Sequence, residues 1–188
     1  MQAAVKTESI NVADYLAAEI TSLERHEYLG GQVYAMSGTT RSHNLIALNL
    51  ATALRTRLKG GACQTFISDI RVHLTLRDDD YYYYPDVVVT CDKRATSDGS
   101  SRFVDHPKVI VEVLSESTER VDKQEKFFAY TKIESLQEYI LVAQDTREVT
   151  IFRRANQWKA EVVSGAKTSV VVKSLKLKLP LKAIYEGV

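Results

Sequence analysis

The sequence predicts an α/β fold: a mixed central sheet flanked by helices, with additional antiparallel hairpins at the N- and C-terminal ends. Three observations carry this. Apolar residues recur at helical spacing between His43 and Leu58. The segment KVIVEVL is apolar at nearly every position, as a strand covered on both faces must be. The C-terminal third alternates apolar and polar residues between turn-forming Asp, Asn and Gly. The chain has 188 residues, 45% hydrophobic and 26% charged, enough for one well-packed domain and a tight fit for two. Residues 1–188 are therefore read as a single domain, with residues 1–10 loose or pairing locally.

Taken in order, Asn11 can cap a short helix, with Asp14 favouring its first turn and Tyr15, Leu16 and Ile20 on one side. HEYL and QVYAM flank Gly30-Gly31, a pair able to adopt the positive φ angles of a tight hairpin turn. Glu27 lies on the first of these strands. It can reach toward an acidic site or pair with Arg25 or Arg41, and the sequence does not choose. Ser37 to Ser42 is turn-rich, and from His43 the residues Ile46, Leu50, Ala53, Leu54 and Leu58 follow a helical stripe. His43 stands near that helix's N-terminus, where a histidine is more often a surface or capping residue than a catalyst.

Gly60-Gly61 ends the helix. Cys63 to Ser68 forms one strand, and in IRVHLTL the residues Ile70, Val72, Leu74 and Leu76 alternate with Arg71, His73 and Thr75, a half-buried strand. Asp69 opens it, either capping a bend or bulge or standing as an outer member of an acidic cluster. After a charged turn, Tyr81 to Thr90 returns as a strand. Its four tyrosines could stack on unpaired bases, but strand preference explains them more simply. Lys93 to His106 reads as a polar, glycine-containing loop. KVIVEVL is followed by a loop and helix in which Lys126, Phe127, Tyr130 and Ile133 share a stripe, then by the buried strand SLQEYILV. EVTIFRR, QWKAEVV and TSVVVKS read as an antiparallel meander. The lysines of SLKLKLPLKAIY fit edge protection better than contact with a nucleic-acid backbone.

Lys plus Arg number 25 against 24 for Asp plus Glu, so no global positive field attracts nucleic acid, and any such binding must use a local patch. No apolar run is long enough to cross a bilayer, and the N-terminus lacks a basic-then-apolar signal pattern, so no membrane association and a cytoplasmic location are expected. Cys63 and Cys91 show no metal-binding spacing and are read as reduced thiols in a reducing compartment, with no disulfide between them.

Two carboxylates stand out because an ordinary core would not want them. Asp86 follows Pro85 ahead of Val87-Val88-Val89, and Glu112 sits in the middle of KVIVEVL. A buried carboxylate is costly unless a cation, several donors or a metal compensates it. Two of them on neighbouring strands, near a lysine, make a hard-oxygen site suited to Mg²⁺ or Mn²⁺.

Pro85-Asp86 followed by Glu112-Val113-Leu114 resembles the PD-(D/E)XK nuclease superfamily, in which Asp and Glu hold a divalent metal and Lys assists the attacking water. Leu114 stands where that pattern places the lysine. The ordered run RHEYLGGQVYAMSG, RSHNLIALNL, SDIRV, YPDVVVTCD, VIVEVLSESTERVDKQEKFFAYTKI and SLQEYILV resembles the Uma-type branch of restriction-endonuclease-like proteins, from about Tyr15 to Tyr185. In that branch the lysine moves to the following helix, which makes Lys126 the candidate, with Asp122 four residues earlier able to hold its ammonium. The resemblance implies a restriction-endonuclease-like core and a Mg²⁺- or Mn²⁺-dependent DNA endonuclease with Asp86, Glu112 and Lys126 as catalytic residues. Asp86, Glu112 and the backbone carbonyl of Val113 would be the metal ligands, and His43 a phosphate or water contact. A homodimer would be the simplest way to cut both strands. The alternatives are a catalytically inactive module of the same fold that binds DNA or protein, and a purely structural homodimer.

Overall fold

The computed structural model describes every residue except 1–8, 37, 95–98, 117 and 166. The expectation for residues 1–10 thus falls mostly outside the described residues. Within them, Ile10 donates its N–H to the Gly31 carbonyl (2.9 Å) and accepts from the Tyr28 hydroxyl (2.9 Å).

Helix α1 (Val12–Thr21) begins where Asn11 accepts from the Asp14 N–H. Strands β1 (His26–Leu29) and β2 (Gln32–Ala35) form the expected hairpin, its turn made by Gly30 and Gly31 at φ +54° and +95°. Glycine, with no Cβ, takes two such angles in succession at no steric cost. Helix α2 (Arg41–Leu58) starts two residues before His43, because the Thr40 side chain accepts from the His43 N–H and caps it.

The main sheet contains β3 (Gln64–Ile67), β6 (Val87–Thr90), β8 (Val109–Leu114), β9 (Glu138–Ala143), β10 (Glu148–Arg153) and β11 (Ala160–Ser164). Their spatial order is β11-β10-β9-β8-β6-β3, with β8 and β9 parallel and the other pairs antiparallel. KVIVEVL therefore lies in the interior of a mixed sheet, as its composition requires. Val87, Val89, Val109, Val111 and Val113 pack against Ile46, Leu50 and Leu54 of α2. On the opposite face, Val88, Ile110 and Leu141 meet a second sheet and the helical segment after β8. That segment is a π-helical turn (Val121–Lys126) running into the short helix α3 (Phe127–Tyr130).

The second sheet has the order β2-β1-β5-β4-β7, where β4 is Arg71–Leu76, β5 is Asp79–Tyr83 and β7 is Phe103–Val104. Its existence corrects two expectations. Tyr81 to Thr90 is not one strand: β5 pairs with β1 and β4, the chain breaks at Tyr84-Pro85-Asp86, and β6 joins the other sheet. A proline has no N–H to contribute to a ladder, so the break falls where the sequence cannot pair. The stretch read as a polar loop contains β7, which pairs parallel with β4. Tyr82, Tyr83 and Tyr84 are 4%, 2% and 7% exposed, so these three belong to the packing and offer no stacking platform.

At the C-terminus, TSVVVKS does not extend the meander. β12 (Ser169–Val172) pairs with β13 (Leu177–Pro180) in a separate hairpin, followed by the short helix α4 (Leu181–Ile184). The buried Glu138 holds this hairpin to the main sheet. Its carboxylate accepts from Arg153 Nε (2.9 Å), the N–H groups of Lys173 (3.0 Å) and Ser174 (2.9 Å), and the Ser174 hydroxyl (2.5 Å).

The reading of Cys63 and Cys91 as free thiols is also corrected: a disulfide joins them, with Cα atoms 4.0 Å apart. The register explains it. Gln64 opposes Thr90 in the β3–β6 ladder, so the cysteines face each other one step beyond its end. The cysteines consequently lend no support to a reducing compartment.

Two outcomes follow from this architecture. Thiol titration of the unfolded, non-reduced protein should find no free cysteine, and reduction should cost about 3–4 kcal/mol by the loop-entropy estimate for this spacing, read by chemical denaturation with and without reductant. Glu138→Ala should destabilise by about 3 kcal/mol or more, because it strips the buried Arg153 of a partner and frees the C-terminal hairpin.

Candidate functional site

Strand alternation decides where Glu112 points. Val109, Val111 and Val113 face α2, so Ile110 and Glu112 face the other side. There Glu112, 3% exposed, accepts from Lys126 Nζ (3.1 Å) and the Tyr130 hydroxyl (3.2 Å) through Oε1, and from the Asp86 N–H (3.3 Å) through Oε2. The pairing of Val87 with Val111 brings Asp86 to the same point at the end of β6. Its Oδ2 accepts from the Val113 N–H (2.7 Å) and lies 3.3 Å from His43 Nε2. The two carboxylates expected to converge are thus locked to each other's backbone.

Lys126 ends the π-helical turn and is 5% exposed. Its Nζ lies 3.1 Å from Glu27 Oε1, 3.1 Å from Glu112 Oε1 and 3.3 Å from Asp122 Oδ1. Asp122 is one turn earlier in the same segment and 2% exposed. Glu27, which the sequence left undecided, turns inward and also accepts from the Tyr84 N–H at 3.0 Å. Asp69 is not brought in: it sits in the exposed turn after β3 and pairs with Arg25. Tyr130 is a contributor that sequence reasoning counted only as core. Its place on the Lys126 stripe was the available signal, and its hydroxyl on Glu112 is what that signal could not show.

The electrostatics follow from one cation among several anions. Burial pushes the Glu112 carboxyl well above its ordinary range; Lys126 pulls it back, while Asp122, Asp86 and Glu27 push it further up. Burial likewise raises Asp122 against the pull of Lys126. Burial alone would depress Lys126, but Glu112, Glu27 and Asp122 outweigh it and hold the ammonium charged well above its usual range. For His43, burial acts downward and is outweighed by the hydrogen bond and charge of Asp86 and by the Val113 carbonyl, so its pKa is raised.

These groups border a cavity of about 230 Å³ lined by His43, Asp86, Glu112, Asp122 and Lys126 among others. Among the described residues no group of three or more His, Cys, Asp or Glu side chains is arranged as a metal cage. The Asp86 and Glu112 carboxylates are hard-oxygen groups of the kind a divalent ion takes. Three carboxylates share one ammonium, and Asp122 Oδ1, though buried, has no hydrogen bond beyond its ion pair with Lys126.

Comparison with known proteins places this geometry in context. A sequence-family model, Uma2, described as "Putative restriction endonuclease", matches residues 12–182. The chain is 34% identical over 175 residues to "Uncharacterized protein slr1290" of Synechocystis sp., covering 93% of this chain and 90% of that protein. It is 30% identical over 179 residues to "Uncharacterized protein sll1609" of the same organism, covering 94% and 100%. The fold is similar to the crystal structure of "a putative nuclease belonging to DUF820" from Anabaena variabilis, with a TM-score of 0.76 at 20% identity, covering 94% of this chain and 97% of that one. No helix among the described residues is long and apolar enough to cross a membrane.

Because Glu27, Glu112 and Asp122 all pair with the one ammonium, Lys126→Met should destabilise the fold by about 3–5 kcal/mol, the cost of leaving buried charges unpaired. Adding Glu112→Gln should recover part of that loss, since it removes one of the stranded anions. A double-mutant cycle by chemical denaturation measures this coupling.

Proposed function

The chain belongs to the Uma2 family of restriction-endonuclease-like proteins, and from that premise we propose that it is a divalent-metal-dependent endonuclease hydrolysing DNA phosphodiester bonds. The observation that carries the proposal is the convergence of carboxylates at the seam between the sheets, where Glu27, Glu112 and Asp122 share the Lys126 ammonium and Asp86, beside His43, is joined to Glu112 through its own N–H. A binding module has no use for buried acids, whereas phosphodiester hydrolysis needs a cation at such a place.

Asp86, Glu112 and the Val113 carbonyl would hold Mg²⁺ or Mn²⁺. Such an ion, when bound, makes water a better nucleophile near neutral pH and offsets charge on the phosphate. The rest of the chemistry lies in the chain itself. The Val113 N–H fixes Asp86 and the Asp86 N–H fixes Glu112, so neither carboxylate must reorganise. Tyr130 restrains Glu112 from the apolar side. Lys126, anchored by Asp122 and Glu27, orients the attacking water and stabilises charge developing on the phosphate oxygens. His43, held by Asp86 at the start of α2, contacts phosphate or water. One such site serves one strand, so a double-strand cut calls for two copies in a symmetric dimer.

Incubation of plasmid and single-stranded DNA with Mg²⁺, Mn²⁺ or EDTA tests the proposal. Cleavage is expected with metal and not with EDTA. Asp86→Asn and Glu112→Gln should lose both cleavage and the rise in melting temperature that Mn²⁺ gives the wild type. Lys126→Met should keep the Mn²⁺ effect but cleave about 100-fold slower or worse. A wild type that binds DNA yet cuts none with either metal would sink the enzymatic reading in favour of an inactive binding module.

A further inference from the structure

Another buried cation lies outside the carboxylate cluster. Arg71, the first residue of β4, is 4% exposed, although strand alternation places it with His73 and Thr75 on the polar side. The reason is a third layer: α1 lies over this face, and the Arg71 guanidinium sits 5.6 Å from the ring centres of Tyr15 and Tyr82 and 5.8 Å from that of Tyr84. Its Nε and Nη1 have no hydrogen-bond partner, and among the described residues no carboxylate lies within ion-pair distance of it. Nor do the phenols supply an anion. Burial pushes the Tyr15 hydroxyl up to about 12 against the pull of Arg71 itself, and that hydroxyl already donates to the His26 carbonyl at 2.7 Å. Ring faces attract a guanidinium, but they leave the donors at its buried Nε and Nη1 unused, which is unfavourable.

Arg71 lines a cavity of about 580 Å³ together with Arg25, Arg102 and Tyr84. Three carboxylates, Glu19, Glu24 and Asp69, line the cavity with the arginines. Asp69 pairs with Arg25, and Glu19 accepts from the Tyr84 hydroxyl (2.9 Å) and the His26 N–H (2.9 Å), leaving Glu24 on the exposed side. Arg25, Met36, Gly38 and Tyr84 line this cavity and the carboxylate-lined one alike, so the two adjoin along a common wall. We propose that the cavity floored by Arg71 is a phosphate-binding subsite that takes a phosphate group of a nucleic-acid backbone next to the carboxylate cluster. Arg71 supplies its buried charge and Arg102 its rim. That the phosphate belongs to the cleaved strand rests on the nuclease reading; that this cavity takes a phosphate does not.

The test uses the full chain with inorganic phosphate as probe, against chloride at equal ionic strength. Phosphate, and not chloride, should raise the melting temperature of the wild type and of Asp86→Asn alike. Arg102→Glu, which lies outside the packed rings, should weaken phosphate binding about tenfold or more, and Arg71→Lys, which keeps the charge but loses the planar fork, should weaken it less. In a second arm, fluorescence anisotropy follows a labelled oligonucleotide on Asp86→Asn, where Arg102→Glu should lower affinity by a similar factor. The absence of any phosphate effect over chloride in the wild type would make Arg71 a structural post among tyrosines and overturn the proposal. Phosphate binding with an oligonucleotide affinity indifferent to Arg102→Glu would overturn the backbone assignment. Phosphate binding in a protein that cleaves no DNA would remove the nuclease reading and leave the subsite standing.

Discussion

The Lys126 ammonium is the point at which three separate pieces of chain meet. Glu27 arrives from β1, Glu112 from the interior of the main sheet, and Asp122 from the π-helical turn that carries Lys126 itself. Apolar packing stops there and ion pairing takes over. Three acidic neighbours meet the three donors of an ammonium, so the geometry of the lysine is dictated from three directions. The turn from Val121 to Lys126 that carries Asp122 and Lys126 is π-helical and wider than a regular α-helix. Asp86 stands just outside this ring and is tied to it by main-chain hydrogen bonds in both directions.

Why the ring forms at this place follows from the path of the chain through Tyr84-Pro85-Asp86. Before the break the chain belongs to the sheet containing β1, and after it to the sheet containing β8. The strands that carry Glu27 and Glu112 are therefore the neighbours, in two different sheets, of one continuous segment. Asp86 is the first residue after the crossing, and its position at the seam comes with the crossing itself. The same seam opens the two adjoining cavities, since Tyr84 lines both of them.

Much of this was legible because it depends on local periodicity. The hairpin at Gly30-Gly31, the stripe of α2 and the interior position of KVIVEVL are all short-range consequences of side-chain pattern. The inward register of Lys126 came from the same source, since Phe127, Tyr130 and Ile133 share its stripe. What the sequence withheld depends on partners. TSVVVKS has the same alternation whether it pairs with the preceding strand or the following one, and it takes the following one. The bond between Cys63 and Cys91 depends on the register of two strands, one of which was merged with β5 in the sequence reading. Glu27 is open to the acidic ring or to nearby arginines, and Asp69 to the cluster or to capping a bend; tertiary packing draws Glu27 in and leaves Asp69 outside. Arg71 shows the limit of a two-residue period: alternation says which side of a strand a residue occupies and nothing about whether a helix will later cover that side.

The gathering of Glu27, Asp86, Glu112 and Asp122 at one seam carries one more consequence. On the nuclease reading, a polyanion approaching this surface without a divalent ion would meet a like-charged site, and an ion approaching without the polyanion would give up much of its hydration for two carboxylates and a carbonyl. Each ligand thus improves the site for the other, and because binding free energies are reciprocal, the factor by which nucleic acid tightens the ion is the factor by which the ion tightens nucleic acid. Half-occupancy by metal would then be reached at a lower metal concentration when nucleic acid is at hand.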